Sequence, residues 1–402
     1  MTLFLGSCAS FIAADASLSA SNSWSAADTL ITNFSFLPNV SFIAGDARGR
    51  QHSFDKGSMT LQKVLPLASS SKFPAALAIA DVVQNGHLSF DTRVADVFAW
   101  WNATDHRSNV TLRHLLTMTS GLVCADVANC GVPCLNPVSP AAPLFQPEAC
   151  ARQIYDKGPW TSAPGAVWSY HSLHLQIAGA MAAAVTNLTL HELLDRHLIA
   201  KLGLKNTFWL PPKVPNPHLA ALGFSTGDDY EIILQSVLNY DGWSEAIITE
   251  MEADAYRTYP GLRPGNDVAD IGLGFYGHYS MCTYFECVNQ PWSERCERNG
   301  VHADPGAFGF WPLINRPKKY YMMLALAIEV DVPPWVMKLF NLDESTAAAL
   351  PAECVSPLRF PLQAPVEAAM GKPVDPNASA LGNLTFPIGF ICEHSTAKAV
   401  GF

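Results

Sequence analysis

Apolar positions along this chain switch period twice, and the switches divide it. "VSFIAGDARGRQHSFDKGSMT" (40–60) alternates short apolar runs with Gly-Asp turns, which predicts a β-hairpin or meander. Behind it Phe73, Leu77, Ala80 and Val83 recur at helical spacing, and Asn85-Gly86 supplies a stop. Helical patterns then dominate from 90 to about 235: "LRHLLTMTSGL" (112–122), "LHLQIAGAMAAAV" (173–185) and "LHELLDRHLIAKLGL" (190–204), with a cysteine-rich loop (123–165) among them. Strand-like runs return at "AFGFWPLI" (307–314) and "YYMMLALAIEV" (320–330). Strands early and late with helices between predict one α/β domain built from both chain ends, carrying a helical insert. The expected division is a signal or lead-in segment over 1–24 and one domain over 25–370. Within that domain, 25–66 and 240–370 form the α/β part and 67–239 the insert; a loose tail follows over 371–402. Residues 17–35, rich in Ser and Ala, read as part of the lead-in.

Composition narrows the class. Apolar residues make up 49% and charged residues 15%, enough for a large core and unlike a disordered chain. A net charge of −10 with no Lys/Arg cluster excludes a nucleic-acid partner. No apolar run approaches the ~18 residues of a membrane-crossing helix. Ten cysteines include no Cx2C pair with a matching partner pair, so no metal is expected. Disulfides or buried thiols remain, with the pairing open. Asn33, Asn39, Asn102, Asn109, Asn187, Asn377 and Asn383 each begin an Asn-x-Ser/Thr sequon, seven of nineteen asparagines, which favours secretion through a glycosylating, oxidising route. "LFLGSCASFIAADA" (3–16) adds an apolar stretch and an A-x-A ending at Ala16, though no Lys or Arg precedes it.

Ser69 stands three places before Lys72 at the start of the first helix. Positions i and i+3 share a helix face, so a lysine amine can reach the serine hydroxyl. The serine's own N–H is free at a helix start, where an oxyanion could form. A partly buried lysine with a lowered pKa could act as base. The plain alternative is a polar helix start, for which serine is favoured anyway. Three other patterns carry no chemistry: "GLGFYG" (272–277) has no βαβ unit around it, "HELLDRH" (191–197) has its second histidine six places on and reads as solvated helix, and G-x-S-x-G is missing.

Four stretches taken in order change the weight. "LASSSKFPAALAIADVVQNGHLSFDTRVADV" (67–97), "VTLRHLLTMTSGL" (110–122), "PGAVWSYHSLHLQIAGAM" (164–181) and "LGLKNTFW" (202–209) resemble the serine β-lactamase and penicillin-binding superfamily. The branch most resembled holds class C β-lactamases, DD-peptidases, D-aminopeptidases and class VIII-type esterases. The resemblance implies a β-lactamase/transpeptidase-like α/β fold: an antiparallel sheet flanked by helices, with an inserted all-helical domain. It implies Ser69 as the acylated nucleophile, Lys72 as its electrostatic and proton-relay partner, and Tyr170 as general base or shuttle. A tyrosine needs a cationic neighbour to ionise near neutral pH.

The chain departs from the family at two places. Ser172 stands where the Tyr-x-Asn element has asparagine, and a hydroxyl is shorter and less directional than an amide. The Lys-Thr-Gly or His-x-Gly element falls on "VHADPGAFGFWPL" (301–313). If Gly306 is the family glycine, Asp304 takes the lysine position and the Ala307 amide joins that of Ser69 as oxyanion hole. If His302 takes the cationic role, two residues bulge out. Aspartate there would repel a substrate carboxylate, which favours a neutral ester or amide. The implied activity is a secreted serine hydrolase without cofactor, acting on a small molecule or short peptide. Carboxylesterase action leads, D-amino-acid peptidase and β-lactam hydrolysis follow, and a non-catalytic binding or structural member of the fold is the contrasting reading.

Overall fold

The computed structural model describes residues 23–101, 104–124, 130–136, 139–265, 278–286, 300–340, 344–374 and 388–400. Residues 1–22 of the expected 1–24 signal or lead-in segment, the "GLGFYG" stretch, Cys8, Cys287, Cys296 and the sequons at Asn102, Asn377 and Asn383 lie outside these residues.

Six strands make the main sheet: β1 (Val40–Asp46), β2 (Gly49–Lys56), and, with the short β3 (Leu65–Pro66), β4 (Phe208–Trp209) and β5 (Gly223–Ser225) set apart as a second sheet, then β6 (Tyr284–Phe285), β7 (Val301–Ala303), β8 (Trp311–Asn315) and β9 (Tyr320–Ala325). The main order is β2-β1-β9-β8-β7-β6 and every pairing is antiparallel. All seven residues of β1 and all six of β9 are buried, as befits central strands covered on both faces. Side-chain alternation shows what covers them. The Tyr321 phenol donates to Glu231 at 2.8 Å, whereas that of its neighbour Tyr320 donates to Glu367 at 3.1 Å. Glu231 belongs to a helix at Gly227–Asn239 and Glu367 to one at Glu344–Ala369, so the two helices lie on opposite faces. β2 is an edge strand, and Arg50, Asp55 and Lys56 make it a poor template for further pairing.

Seven helices matter below: α1 (Ser25–Asn33), α2 (Lys72–Gln84), α3 (Leu112–Leu116), α4 (Pro147–Lys157), α5 (Leu173–Thr186), α6 (Gly227–Asn239) and α7 (Glu344–Ala369). Several expectations need correction. Residues 25–33 of the supposed lead-in form α1, which buries Ala27 and Ile31. The helix expected over 112–122 ends at Leu116, because Met118 takes a left-handed φ of 59° and turns the chain. Strand β8 starts at Trp311 rather than 307, after a turn with Gly309 at φ 93°. The run 320–330 splits into β9 and β10 (Ile328–Asp331).

Helix α7 was hidden by its four prolines, Pro351, Pro357, Pro361 and Pro365. Leu350, Cys354, Leu358, Leu362 and Val366 nevertheless line its buried side at near helical spacing, and packing overrides the weak propensity. The tail is not loose where it is described. A disulfide joins Cys354 to Cys392, and β11 (Thr396–Ala399) pairs antiparallel with β10. Two further disulfides, Cys124–Cys130 and Cys134–Cys150, staple the loop between α3 and α4, an arrangement that suits an extracellular or lumenal protein. No single helix among the described residues is long and apolar enough to cross a membrane.

Candidate active site

Strand β3 delivers the chain to the site, and each of the three serines that follow has a different task. Leu67 donates its amide to Gly223 of β5 at 2.9 Å, and Ala68 then adopts φ 47°, opening a 3-10 turn over Ala68–Ser71 that runs into α2. Ser71 is wholly buried; its hydroxyl donates to the Ala68 carbonyl at 2.6 Å and accepts from the Gly223 amide at 3.0 Å. Ser70, equally buried, donates to the Asp304 carbonyl. These two pin the turn to the sheets on either side. Ser69 is the half-buried one of the three. Its hydroxyl accepts a hydrogen bond from Lys72 Nζ at 2.9 Å.

Lys72 is 3% exposed and sends its amine to Ser69 and to the Ala220 carbonyl at 3.0 Å. Burial lowers its pKa to about 8, against the opposing charges of Asp304 and Cys282. An amine of that kind is in part neutral near pH 7 to 8 and can accept a hydroxyl proton. Its nitrogen also lies 4.6 Å from the centroid of the Tyr170 ring.

Tyr170 precedes α5, with its ring stacked on Tyr284 at 5.7 Å and edge-on to Tyr279 at 5.8 Å. Burial pushes its phenol above the ordinary value, Asp304 adds to the rise, and the neighbouring Ser69 and Tyr284 hydroxyls only moderate it. Lys72 therefore does not ionise Tyr170; the phenol stays protonated and can hand on a proton as an acid.

Ser69, Lys72 and Tyr170 thus come together, while the other sequence-selected residues divide. Gly306 lies against the nucleophile turn: a Cβ there would sit 2.2 Å from the Leu67 carbonyl oxygen and 3.1 Å from the Ser70 hydroxyl, so only glycine fits. Ala307, next along, is half-buried in the same turn. Ser172 opens α5 only 3% exposed. His302 and Asp304 are both buried. His302 is 6% exposed on β7, with its ring edge-on to Phe285 and Nδ1 3.3 Å from the Ser280 hydroxyl. Burial lowers its pKa, with Glu252 opposing. Asp304 is 1% exposed and its carboxylate accepts from the Phe73 amide of α2 at 3.0 Å. The two line one small cavity together with Phe73 of α2.

Sequence reasoning missed Tyr284, Cys282 and the Ala220 carbonyl. Cys282 is a buried free thiol whose pKa burial raises, with Asp304 adding and Lys72 opposing. Neither Tyr284 nor Cys282 lies in a recognisable motif, and both reach the site through the β6 edge of the sheet, which sequence spacing does not reveal. His197, read as solvated, is instead buried, with Nδ1 2.8 Å from Asp81 of α2. That histidine holds the helix from beneath.

The chain matches the family described as Beta-lactamase over residues 28–278, more than half its length. Penicillin-binding protein 4 of Amycolatopsis lactamdurans is 29% identical over 196 residues, which span 45% of this chain and 48% of that protein. The chain therefore aligns with about half the length of this relative. Among solved structures, a candidate beta-lactamase from Bacteroides dorei superposes with TM-score 0.61 at 21% identity, covering 76% of this chain and 91% of that one. A mutant simvastatin synthase from Aspergillus terreus reaches TM-score 0.55 at 16% identity, covering 86% and 96%. At such identities these likenesses speak for the fold, and the fold is β-lactamase/transpeptidase-like.

Proposed function

The chain belongs to the beta-lactamase family, and on that premise we propose that it is a secreted serine hydrolase that works through a Ser69 acyl-enzyme on neutral esters. One observation carries the reading: the buried Lys72 amine lies 2.9 Å from the Ser69 hydroxyl with its pKa lowered to about 8. Neutral Lys72 takes the Ser69 proton as the oxygen attacks the ester carbonyl, forming the tetrahedral adduct. The Ser69 and Ala307 amides receive the oxyanion. Tyr170, a protonated phenol beside Ser69 and Lys72, gives its proton to the departing alkoxide and takes up the one Lys72 received, and the carbonyl re-forms as the C–O bond to the alcohol breaks. Water then enters by the reverse sequence and releases the acid.

Preference for a neutral ester is supported by the burial of His302 and Asp304, since neither position offers a cation to a substrate carboxylate. Secretion is supported by the three disulfides among the described residues and by exposed sequon asparagines at Asn33, Asn109 and Asn187. Treatment with a peptide N-glycosidase should lower the mass of the secreted protein.

The direct test is intact-mass analysis after a fluorophosphonate probe, on wild type and Ser69→Ala, with p-nitrophenyl butyrate and a penicillin in parallel. Labelling that requires Ser69, with ester turnover and no penicillin adduct, is the expected result. A stable penicillin adduct would overturn the neutral-ester preference. Absence of any labelling in folded protein would overturn the enzyme and leave a binding member of the fold.

A further inference from the structure

We propose that Asp304 is a positioning residue of this site: buried behind the nucleophile and clamped to the first turn of α2, its carboxylate sets the protonation of Lys72. The inference rests on the reading of Lys72 as the base for Ser69. Asp304 is gripped twice by the segment that carries both residues. Its carbonyl accepts from the Ser70 hydroxyl, and Oδ2 accepts from the Phe73 amide at 3.0 Å, on the peptide joined directly to Lys72. Its other oxygen, Oδ1, is enclosed without a hydrogen-bond partner. The carboxylate borders a cavity of about 10 Å³ lined also by Phe73, Glu252 and His302. That is at most the room of one water, so solvent screens the charge weakly.

The groups whose charge bears on the pair come from every side. Lys72 answers to Asp304 and Cys282, while Tyr170, Tyr230 of α6, Tyr279 and Cys282 each answer to Asp304; His302 and Glu252 share its cavity. Lys72 is the cation among those whose charge acts on Asp304. Burial pushes the carboxyl up and the amine down, and each charge restrains the other, so the two titrate as one unit. Asp304 belongs to this sequence's departure from the family's third element. What looks like a lost substrate contact is, on this geometry, a change of use: the position acts on the base rather than on the ligand.

Asp304→Asn removes the charge and keeps an acceptor for the Phe73 amide. An opposite charge at close range shifts a pKa by about 1–3 units, so the Lys72 amine should titrate at least about one pH unit lower in the variant. The amine is followed directly by the carbon-13 ε resonance of labelled lysine, assigned by its loss in Lys72→Arg, with kcat/KM for p-nitrophenyl butyrate measured over the same pH range. An amine midpoint and an acid limb that both move down support the proposal. An amine midpoint that stays or rises overturns it. A midpoint that moves while the hydrolysis profile does not follow supports Asp304's hold on Lys72 and instead overturns Lys72 as the base. Should Asp304→Asn not fold, Asp304→Ser, which also offers an acceptor, is titrated and read the same way.

Discussion

Replacing the three consecutive serines one at a time by alanine should give three distinct outcomes, because only their surroundings differ. Ser69 is half-buried and its hydroxyl makes one described hydrogen bond, with the Lys72 amine, which keeps the Ala220 carbonyl when the hydroxyl is gone. Ser69→Ala should therefore cost under about 1 kcal/mol of stability while abolishing probe labelling and ester turnover. Ser70→Ala strands the buried carbonyl of Asp304, a loss of roughly 1–3 kcal/mol. Ser71→Ala strands two groups at once, the Ala68 carbonyl and the Gly223 amide, and should cost about 2–4 kcal/mol. Urea unfolding gives the three stabilities, and fluorophosphonate labelling below each transition gives the nucleophile. Folded Ser70→Ala and Ser71→Ala proteins should still label. The reasoning is refuted if Ser69→Ala is the least stable of the three, or if labelling survives in it and fails in folded Ser70→Ala.

Three further outcomes follow from the same geometry. Because the base must be neutral and Lys72 sits at about 8, kcat/KM should rise about tenfold per pH unit below that value and level off above it; a limb centred near pH 5 would point to a carboxylate or histidine base instead. Tyr170→Phe keeps the ring stacked on Tyr284 and beneath the Lys72 amine but loses the phenol, so acylation should fall by about 10²–10⁴ with the melting temperature little changed. Gly306→Ala would drive a methyl against the Leu67 carbonyl, costing roughly 1–3 kcal/mol by thermal unfolding and slowing acylation by prising the 304–310 turn from the nucleophile; retention of full activity and stability would mean that the turn is not set by this contact.

How much of this was legible in the sequence depends on whether a contact is local. The hairpin at 40–56 and the stop of α2 at Asn85 follow from turn chemistry and spacing alone, and both stand in the structure. The Ser69–Lys72 approach is one helical turn, so the pattern predicted it. Tyr170 needed the family resemblance, because nearly a hundred residues separate it from Lys72 in the chain. Tyr284, Cys282 and Ala220 reach the site by tertiary folding and had no local signal. Helix α7 was concealed for the opposite reason: its prolines are a strong local signal that the long-range packing of Leu350, Leu358, Leu362 and Val366 overrules.

At Asp304 the proposed preference for neutral substrates rests on different physics in the sequence and in the fold. From sequence, an aspartate at the lysine position would repel a substrate carboxylate across the cleft. In the fold the carboxylate is buried and accepts from the Phe73 amide, so the proposed reading does not rest on direct repulsion. What does operate is the loss of an attraction. A penicillin or a D-amino-acid peptide must leave its carboxylate solvated or pair it with a cation, and His302 could supply one only by leaving its enclosed place beside Phe285 and Ser280 and taking up a proton that burial disfavours. Lys72 does not fill the gap: its amine is committed to Ser69 and Ala220, and a carboxylate drawn to it would raise its pKa and so disable it as a base. An ester without a charge escapes both penalties, and the proposed preference for neutral substrates therefore follows from the same arrangement that leaves Lys72 able to act.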